Sequence, residues 1–200
     1  LTLKIAIVSS SSFGRYFPEH LERLSAIGEV ERFEVPVDID GKSLAETLRG
    51  FPIIIASVKP YYNEEFFACK DETFLIARHG IGFDNIDLSS ATEKGVLVTK
   101  VAGWVEREAV AELAVTLLLD VMRKTREASL KVQAGEWHRR AQFVGWEIRE
   151  KVAGIIGIGN IGSRVCEILR YGFNARLIAY DPYLSPDVIR ERGAEPVDLE

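Results

Sequence analysis

Between Val152 and Asp181 the chain reads VAGIIGIGNIGSRVCEILRYGFNARLIAYD, and its chemistry rests on three glycines and an acid. Gly157, Gly159 and Gly162 stand at the G-x-G-x-x-G spacing. The first allows a tight turn, the second lets a pyrophosphate approach the backbone, and the third lets a helix pack closely on a strand. The apolar run from Val152 to Ile156 reads as a strand buried on both faces. Ile161, Val165, Ile168 and Leu169 then recur at helical spacing, so the first-turn amides, Asn160 and Ile161 among them, face the glycine loop as an anion site. A second apolar run ends at Asp181, nineteen residues beyond Gly162, where a carboxylate accepts hydrogen bonds from an adenosine ribose. A glycine-rich turn without a ligand would show the same three glycines, but here strand, helix and acid arrive around them in order. The Asp181 carboxylate would repel a 2′-phosphate, which favours NAD over NADP.

The elements that must position this stretch follow from periodicity. Leu3 to Val8 alternates as a first strand before the serine-rich loop Ser9 to Ser12, and Pro18 to Ala26 forms a helix with Leu21 and Leu24 on one face. Val30 to Val35 reads as a strand, Ser43 to Leu48 as a short helix opened by a serine cap, and Ile53 to Ala56 as a buried strand. Asn63 caps a helix running to Cys69. Thr73 to Ala77 and Val96 to Val98 read as strands on either side of a helix from Asp87 to Lys94. Strands alternating with helices argue for a parallel sheet, so residues 1–100 read as one α/β domain and 101–200 as a second. The longest helical pattern, Glu106 to Ala134, is stopped by Gly135. Its wide apolar stripe reads first as core packing and second as a partner surface. Glu136 to Glu150, with Trp137, Trp146 and the basic run His138, Arg139 and Arg140, reads as a loop.

Composition excludes several classes. Of the 200 residues 47% are hydrophobic, enough to bury a core, and the net charge of −5 gives no basic field for nucleic acid or an anionic membrane. No apolar stretch approaches a membrane span, and Leu1 to Ser12 does not read as a signal peptide. Cys69 and Cys166 lie in unrelated segments outside any metal-ligand spacing, which fits free thiols in a reducing cytoplasm and no bound metal.

Four stretches together resemble the D-isomer-specific 2-hydroxyacid dehydrogenases: Arg78 to Asp87 (RHGIGFDNID), Ala109 to Leu119 (AVAELAVTLLL), Gly135 to Trp137, and Lys151 to Tyr183, which ends in AYDPY. The resemblance implies a flavodoxin-like outer domain facing a Rossmann domain, hydride transfer between NAD(H) and C2 of a small 2-hydroxy or 2-oxo acid, and a homodimer with part of the long helix at its interface. By similarity, the amides around Ile81 and Gly82 hold the substrate carboxylate, although Gly80 and Gly82 by themselves read first as a turn into the next helix. Lys59 and Arg78 are further substrate contacts by similarity, and a solvated lysine is the other reading of Lys59. Asn160 and Ile161 match the pyrophosphate amides, Asp181 the ribose ligand with Pro182 beside it, and Val110 a residue packed near the nicotinamide or simply in the helix core. Asp84 and Asn85 read as turn and cap residues.

Two departures qualify the resemblance. Ser57 and Val58 stand where phosphoglycerate-type members carry an Arg-Ser pair, and Ala102-Gly103-Trp104 with Glu106 precedes AVAE where many members have a proline–glycine–asparagine-like run. The family's general acid/base is a histidine paired with a glutamate, beside an arginine that polarises the 2-oxo group. None of His20, His79 and His138 matches that histidine motif, so no catalytic residue is assigned in this chain. The Rossmann half is expected to end after its second strand, leaving Arg176 to Tyr180 as an exposed edge, which reads as a piece of a longer protein. A non-catalytic NAD-binding regulatory or corepressor-like module is the alternative.

Overall fold

The computed structural model describes residues 2–199. The chain divides into two compact units, Leu1–Ala102 and Gly103–Glu200.

In the first unit five short strands, β1 (Lys4–Val8), β2 (Glu29–Phe33), β3 (Ile53–Ala56), β4 (Leu75–Arg78) and β5 (Leu97–Lys100), form one parallel sheet in the order β2-β1-β3-β4-β5. This is the flavodoxin-like order, with its reversal between β1 and β3. The crossovers are helices α1 (Glu19–Ser25), α2 (Gly41–Thr47), α3 (Glu64–Cys69) and α4 (Leu88–Glu93). Strand alternation then sorts the core. Ala6, Val8, Ile54, Ala56 and Ile76 point to one face and pack with Leu44, Ala45, Phe66, Phe67 and Ala91 from α2, α3 and α4. Ile5, Ile7 and Ile55 point to the other, against Leu21 and Leu24 of α1. Phe66 and Phe67, both within 1% of full burial, each contribute about 2 kcal/mol of apolar burial.

The cap of α2 differs from the sequence reading. Asp40, not a serine, holds it: its Oδ1 accepts from the Ser43 N–H at 2.8 Å, while its Oδ2 accepts from the Ser43 hydroxyl. A carboxylate at that position answers an orphan amide and the positive helix end together, so it outcompetes the hydroxyl three residues on. Asn63 caps α3 as expected, and Asp87 caps α4.

In the second unit the expected helix from Glu106 to Ala134 is two helices, α5 (Arg107–Arg123) and α6 (Thr125–Gln133). Lys124 sits between them in the left-handed region at φ 53°. Asp120 stabilises the break by accepting from the Thr125 hydroxyl and, at 3.1 Å, from the Arg126 N–H. Periodicity runs through a single-residue break without changing phase enough to reveal it. Trp137–Gln142, expected as loop, is a 3₁₀ turn.

The sheet of this unit is parallel, in the order β6 (Val152–Ile156), β7 (Arg176–Tyr180), β8 (Glu195–Pro196). Helices α7 (Asn160–Phe173) and α8 (Pro186–Glu191) connect them. The sequence reading stopped at β7. The structure adds α8 and β8, and β8 pairs with β7 through Ile178–Glu195 and Ala179–Pro196, so β7 is an interior strand. A two-residue strand is too short for a period-2 signal. Nor is β6 buried on both faces: Ala153 and Ile155 join the core around Leu169 and Leu177, whereas Val152 and Ile156 are 56% and 77% exposed. A continuous apolar run does not say which of its faces finds a cover.

Candidate functional site

The dinucleotide-type loop lies where β6 passes into α7. Gly157 turns the chain at φ +84°, a conformation that L side chains rarely adopt, and open space surrounds the positions where Cβ atoms of Gly157 and Gly159 would sit. At Gly162 the reverse holds, since a methyl there would collide with the carbonyl oxygen of Gly157. This glycine lets the helix approach the strand, and the other two keep the approach from solvent clear. α7 starts on Gly159 with no side-chain cap. Its first-turn N–H groups, those of Asn160, Ile161 and Gly162, have no carbonyl within the helix to donate to, and they point at the loop with the positive end of a 14-residue helix. An uncapped helix end beside an open glycine cradle fits a pyrophosphate.

Asp181 stands just past the end of β7. Its Oδ2 accepts from the Ile158 N–H at 3.0 Å and its Oδ1 from the Tyr183 N–H at 2.9 Å. Each oxygen keeps a lone pair for a ribose hydroxyl. The carboxylate therefore braces the loop as well as offering a ligand, a role the sequence reading missed. Ile158 is fully buried, and its carbonyl accepts from the guanidinium of Arg192, beyond α8. Pro182 is exposed beside Asp181, and Val110, in the first turn of α5, is 39% exposed.

A clamp of four charged residues fixes α7 against α5. Arg107 pairs with Glu167 at 3.0 Å, and Arg164 reaches Glu108 at 2.6 Å and Glu167 at 2.9 Å. The hydrogen bond from Arg164, with the positive charge of Arg107 nearby, holds the Glu167 carboxyl below the usual carboxylate range. The Glu167 hydrogen bonds tie the helix carrying the loop to its neighbour. Apolar periodicity carries no sign of this network.

In the first unit the loops after β3 and β4 enclose a cavity of about 230 Å³, lined among others by Lys59, Tyr61, Arg78, Gly82, Asp84 and Asn85. Three of the four substrate-side residues expected from sequence thus share one cavity. The fourth, Ile81, adjoins Gly82. Gly80 makes the bend possible at φ +149°, where a Cβ would run into the Arg78 guanidinium. Among the described residues the N–H groups of Ile81 and Gly82 donate to nothing, whereas the Ile81 carbonyl accepts from Lys100 Nζ at 3.3 Å. Two adjacent amides without a partner, near Arg78 and Lys59, are free to donate to an anion.

Arg78 is 8% exposed, donates to the His79 carbonyl, and keeps a buried Nε with no partner among the described residues. Lys59 Nζ lies 3.4 Å from the centroid of the Tyr61 ring. The lysine is therefore held by an aromatic face and is not freely solvated. Asp84 and Asn85 form a turn, as read from the sequence, closed by the Ile86 N–H on the Phe83 carbonyl, and Asp87 is the helix cap that follows it. The buried side-chain amide of Asn85 donates to the Ser57 and Pro60 carbonyls at 3.1 and 3.0 Å and so sets the loop that carries Lys59. Of the histidines, His20 and His79 flank Phe13 at ring distances of 5.9 and 5.0 Å around a separate cavity of about 300 Å³, and His138 is exposed in the 3₁₀ turn. Among the described residues no helix is long and apolar enough to cross a membrane, and no cluster of three His, Cys, Asp or Glu could hold a metal.

Comparison with known proteins bears on the family and the fold. Residues 115–200 match the model of the D-isomer specific 2-hydroxyacid dehydrogenase NAD binding domain. The chain is 32% identical over 181 residues to the D-3-phosphoglycerate dehydrogenase of Methanocaldococcus jannaschii, covering 90% of this chain and 34% of that protein. It is 32% identical over 193 residues to the glyoxylate reductase of Thermococcus litoralis, covering 93% and 58%. The apo-structure of D-lactate dehydrogenase from Escherichia coli superposes with a TM-score of 0.79 at 29% identity, covering 98% of this chain and 60% of that one. The chain thus spans between a third and three fifths of the length of these relatives. Its fold is α/β with a Rossmann-type NAD-binding part, and by sequence and fold together the chain belongs to the D-isomer-specific 2-hydroxyacid dehydrogenase family.

Proposed function

We propose that the protein is an NAD-dependent oxidoreductase that moves a hydride between NAD(H) and C2 of a small 2-hydroxy or 2-oxo acid. In this reading the first unit takes the acid and the second the cofactor. The unpaired amides of Ile81 and Gly82 hold the carboxylate, and Arg78 and Lys59 add positive charge beside it. The glycine loop and the amides of Asn160 and Ile161 hold the pyrophosphate, Asp181 with Pro182 beside it takes the adenosine ribose, and Val110 packs near the nicotinamide. NAD supplies the hydride acceptor. The protein's own contribution is to hold the reacting carbons in contact and to exclude alternative poses. No acid–base role is assigned to His20, His79 or His138.

The observation that carries the proposal is the pair of unpaired amides beside two cations, in a chain that also bears the open glycine cradle. A homodimer that works in the cytoplasm belongs to the same proposal. It is supported by the family resemblance, the exposed apolar face of α5 and the two free cysteines. The test is NADH consumption by the protein from its natural source against glyoxylate, pyruvate, hydroxypyruvate and their phosphorylated analogues. Turnover of at least one acid is expected. NADH binding with no turnover of any of them would overturn the proposal in favour of a regulatory, corepressor-like module.

A further inference from the structure

We propose that Arg192 is a positioning residue of the dinucleotide loop, acting through the carbonyl of Ile158. The inference rests on the reading that this loop holds the NAD pyrophosphate. Ile158 lies between Gly157 and Gly159, the two glycines that leave open space for a ligand, yet its own side chain is fully buried. A buried backbone group must find a partner, and at this turn no strand or helix supplies one. Two side chains from further along the chain do so, Asp181 after β7 accepting from the N–H and Arg192 after α8 donating to the carbonyl. The plane of the peptide between Ile158 and Gly159 is therefore set by Arg192. That plane contains the Gly159 N–H and fixes the position from which the chain enters α7 at Asn160 and Ile161.

Arg192 is suited to this in a second way. Among the described residues no carboxylate lies within ion-pair distance of it, although Glu167 and Glu191 line a cavity together with it. Its charge is spent on one carbonyl of the glycine loop, where a half-buried position weakens solvent screening. A lysine keeps the charge but loses the planar fork that fixes the carbonyl direction. A methionine removes both.

The experiment measures binding to the whole chain without catalysis. ADP-ribose, NAD and adenosine are titrated by calorimetry into the wild type, Arg192→Met and Arg192→Lys, with amide hydrogen exchange recorded in parallel. A hydrogen bond from a charged donor predicts that Arg192→Met weakens ADP-ribose and NAD by about tenfold or more, leaves adenosine within about twofold, and speeds exchange at Ile158 while β7 stays protected. Arg192→Lys should recover part of the lost affinity. Unchanged ADP-ribose binding would overturn the proposal. So would equal losses for adenosine and ADP-ribose, or β7 amides losing protection together with Ile158, since either means general destabilisation. Failure of the wild type to bind ADP-ribose and NAD at all would instead sink the reading of the loop itself.

Discussion

Gly162 and Gly172 sit on one helix, and their surroundings predict opposite outcomes for the same substitution. A methyl at Gly162 meets the Gly157 carbonyl, a backbone atom that cannot swing aside, whereas nothing lies within 4 Å of the position a Cβ would take at Gly172. Gly162→Ala should therefore push α7 off the loop and cost NAD affinity at least tenfold with a loss of about 1–3 kcal/mol in stability. Gly172→Ala should raise stability by about 0.5–1 kcal/mol through helix propensity and leave NAD binding alone. Urea denaturation of the two variants beside calorimetric titration with NAD checks both, and a stable, tightly binding Gly162→Ala would refute the packing argument. The sequence motif named both the residue and its role here. At Asn85 it did not, because the two carbonyls that the side chain holds come from a loop more than twenty residues earlier.

At the scale of elements, α2 and α4 are opened by the same device. Asp40 and Asp87 each accept from the backbone N–H and the hydroxyl of the serine three residues on. Those hydrogen bonds, the backbone one first, hold both carboxyls below the ordinary value of 3.8. A group whose pKa is lowered in the folded state binds fewer protons there than in the unfolded chain. Its contribution is complete above the ordinary value and is lost as pH falls through the lower folded value. The melting temperature should thus fall as pH is taken below about 4, and the fall should be shallower in Asp40→Asn/Asp87→Asn, whose caps do not titrate. Identical pH profiles for wild type and double variant would contradict this. Asn63 was legible as a cap because its neighbours left no competitor. Asp40 was missed because Ser43 offers an equally plausible local signal.

For the whole molecule, the apolar stripe of α5 is divided between two uses. Ala111 and Val115 are buried, and Val115, Leu118 and Met122 join the core of the second unit, whereas Leu113, Leu117 and Val121 stand 56%, 56% and 76% exposed. A row of that kind along one helix suits a self-complementary two-fold contact. Under the proposed homodimer, sedimentation should give twice the mass of the chain, and Leu117→Glu/Val121→Glu should give the chain mass with unchanged circular dichroism. A wild type that sediments as a monomer at micromolar concentration would remove the homodimer from the proposal.

What the sequence determined by itself is local. The five strands of the first sheet, β6 and β7 of the second, the cap at Asn63, the turn at Gly157 and the acid after β7 depend on backbone sterics, side-chain alternation and spacings of a few residues. These act the same in any context, and so they can be read from the chain alone. Tertiary structure decided everything that needs distant residues to meet: the cavity that joins Lys59, Arg78 and Gly82, the brace from Asn85 to Ser57 and Pro60, and the grip of Arg192 on Ile158. It also decided which face of β6 is covered and where the long helix breaks. A polar side chain carries no mark of the carbonyl it will satisfy, because its partner is chosen only when packing removes water from both.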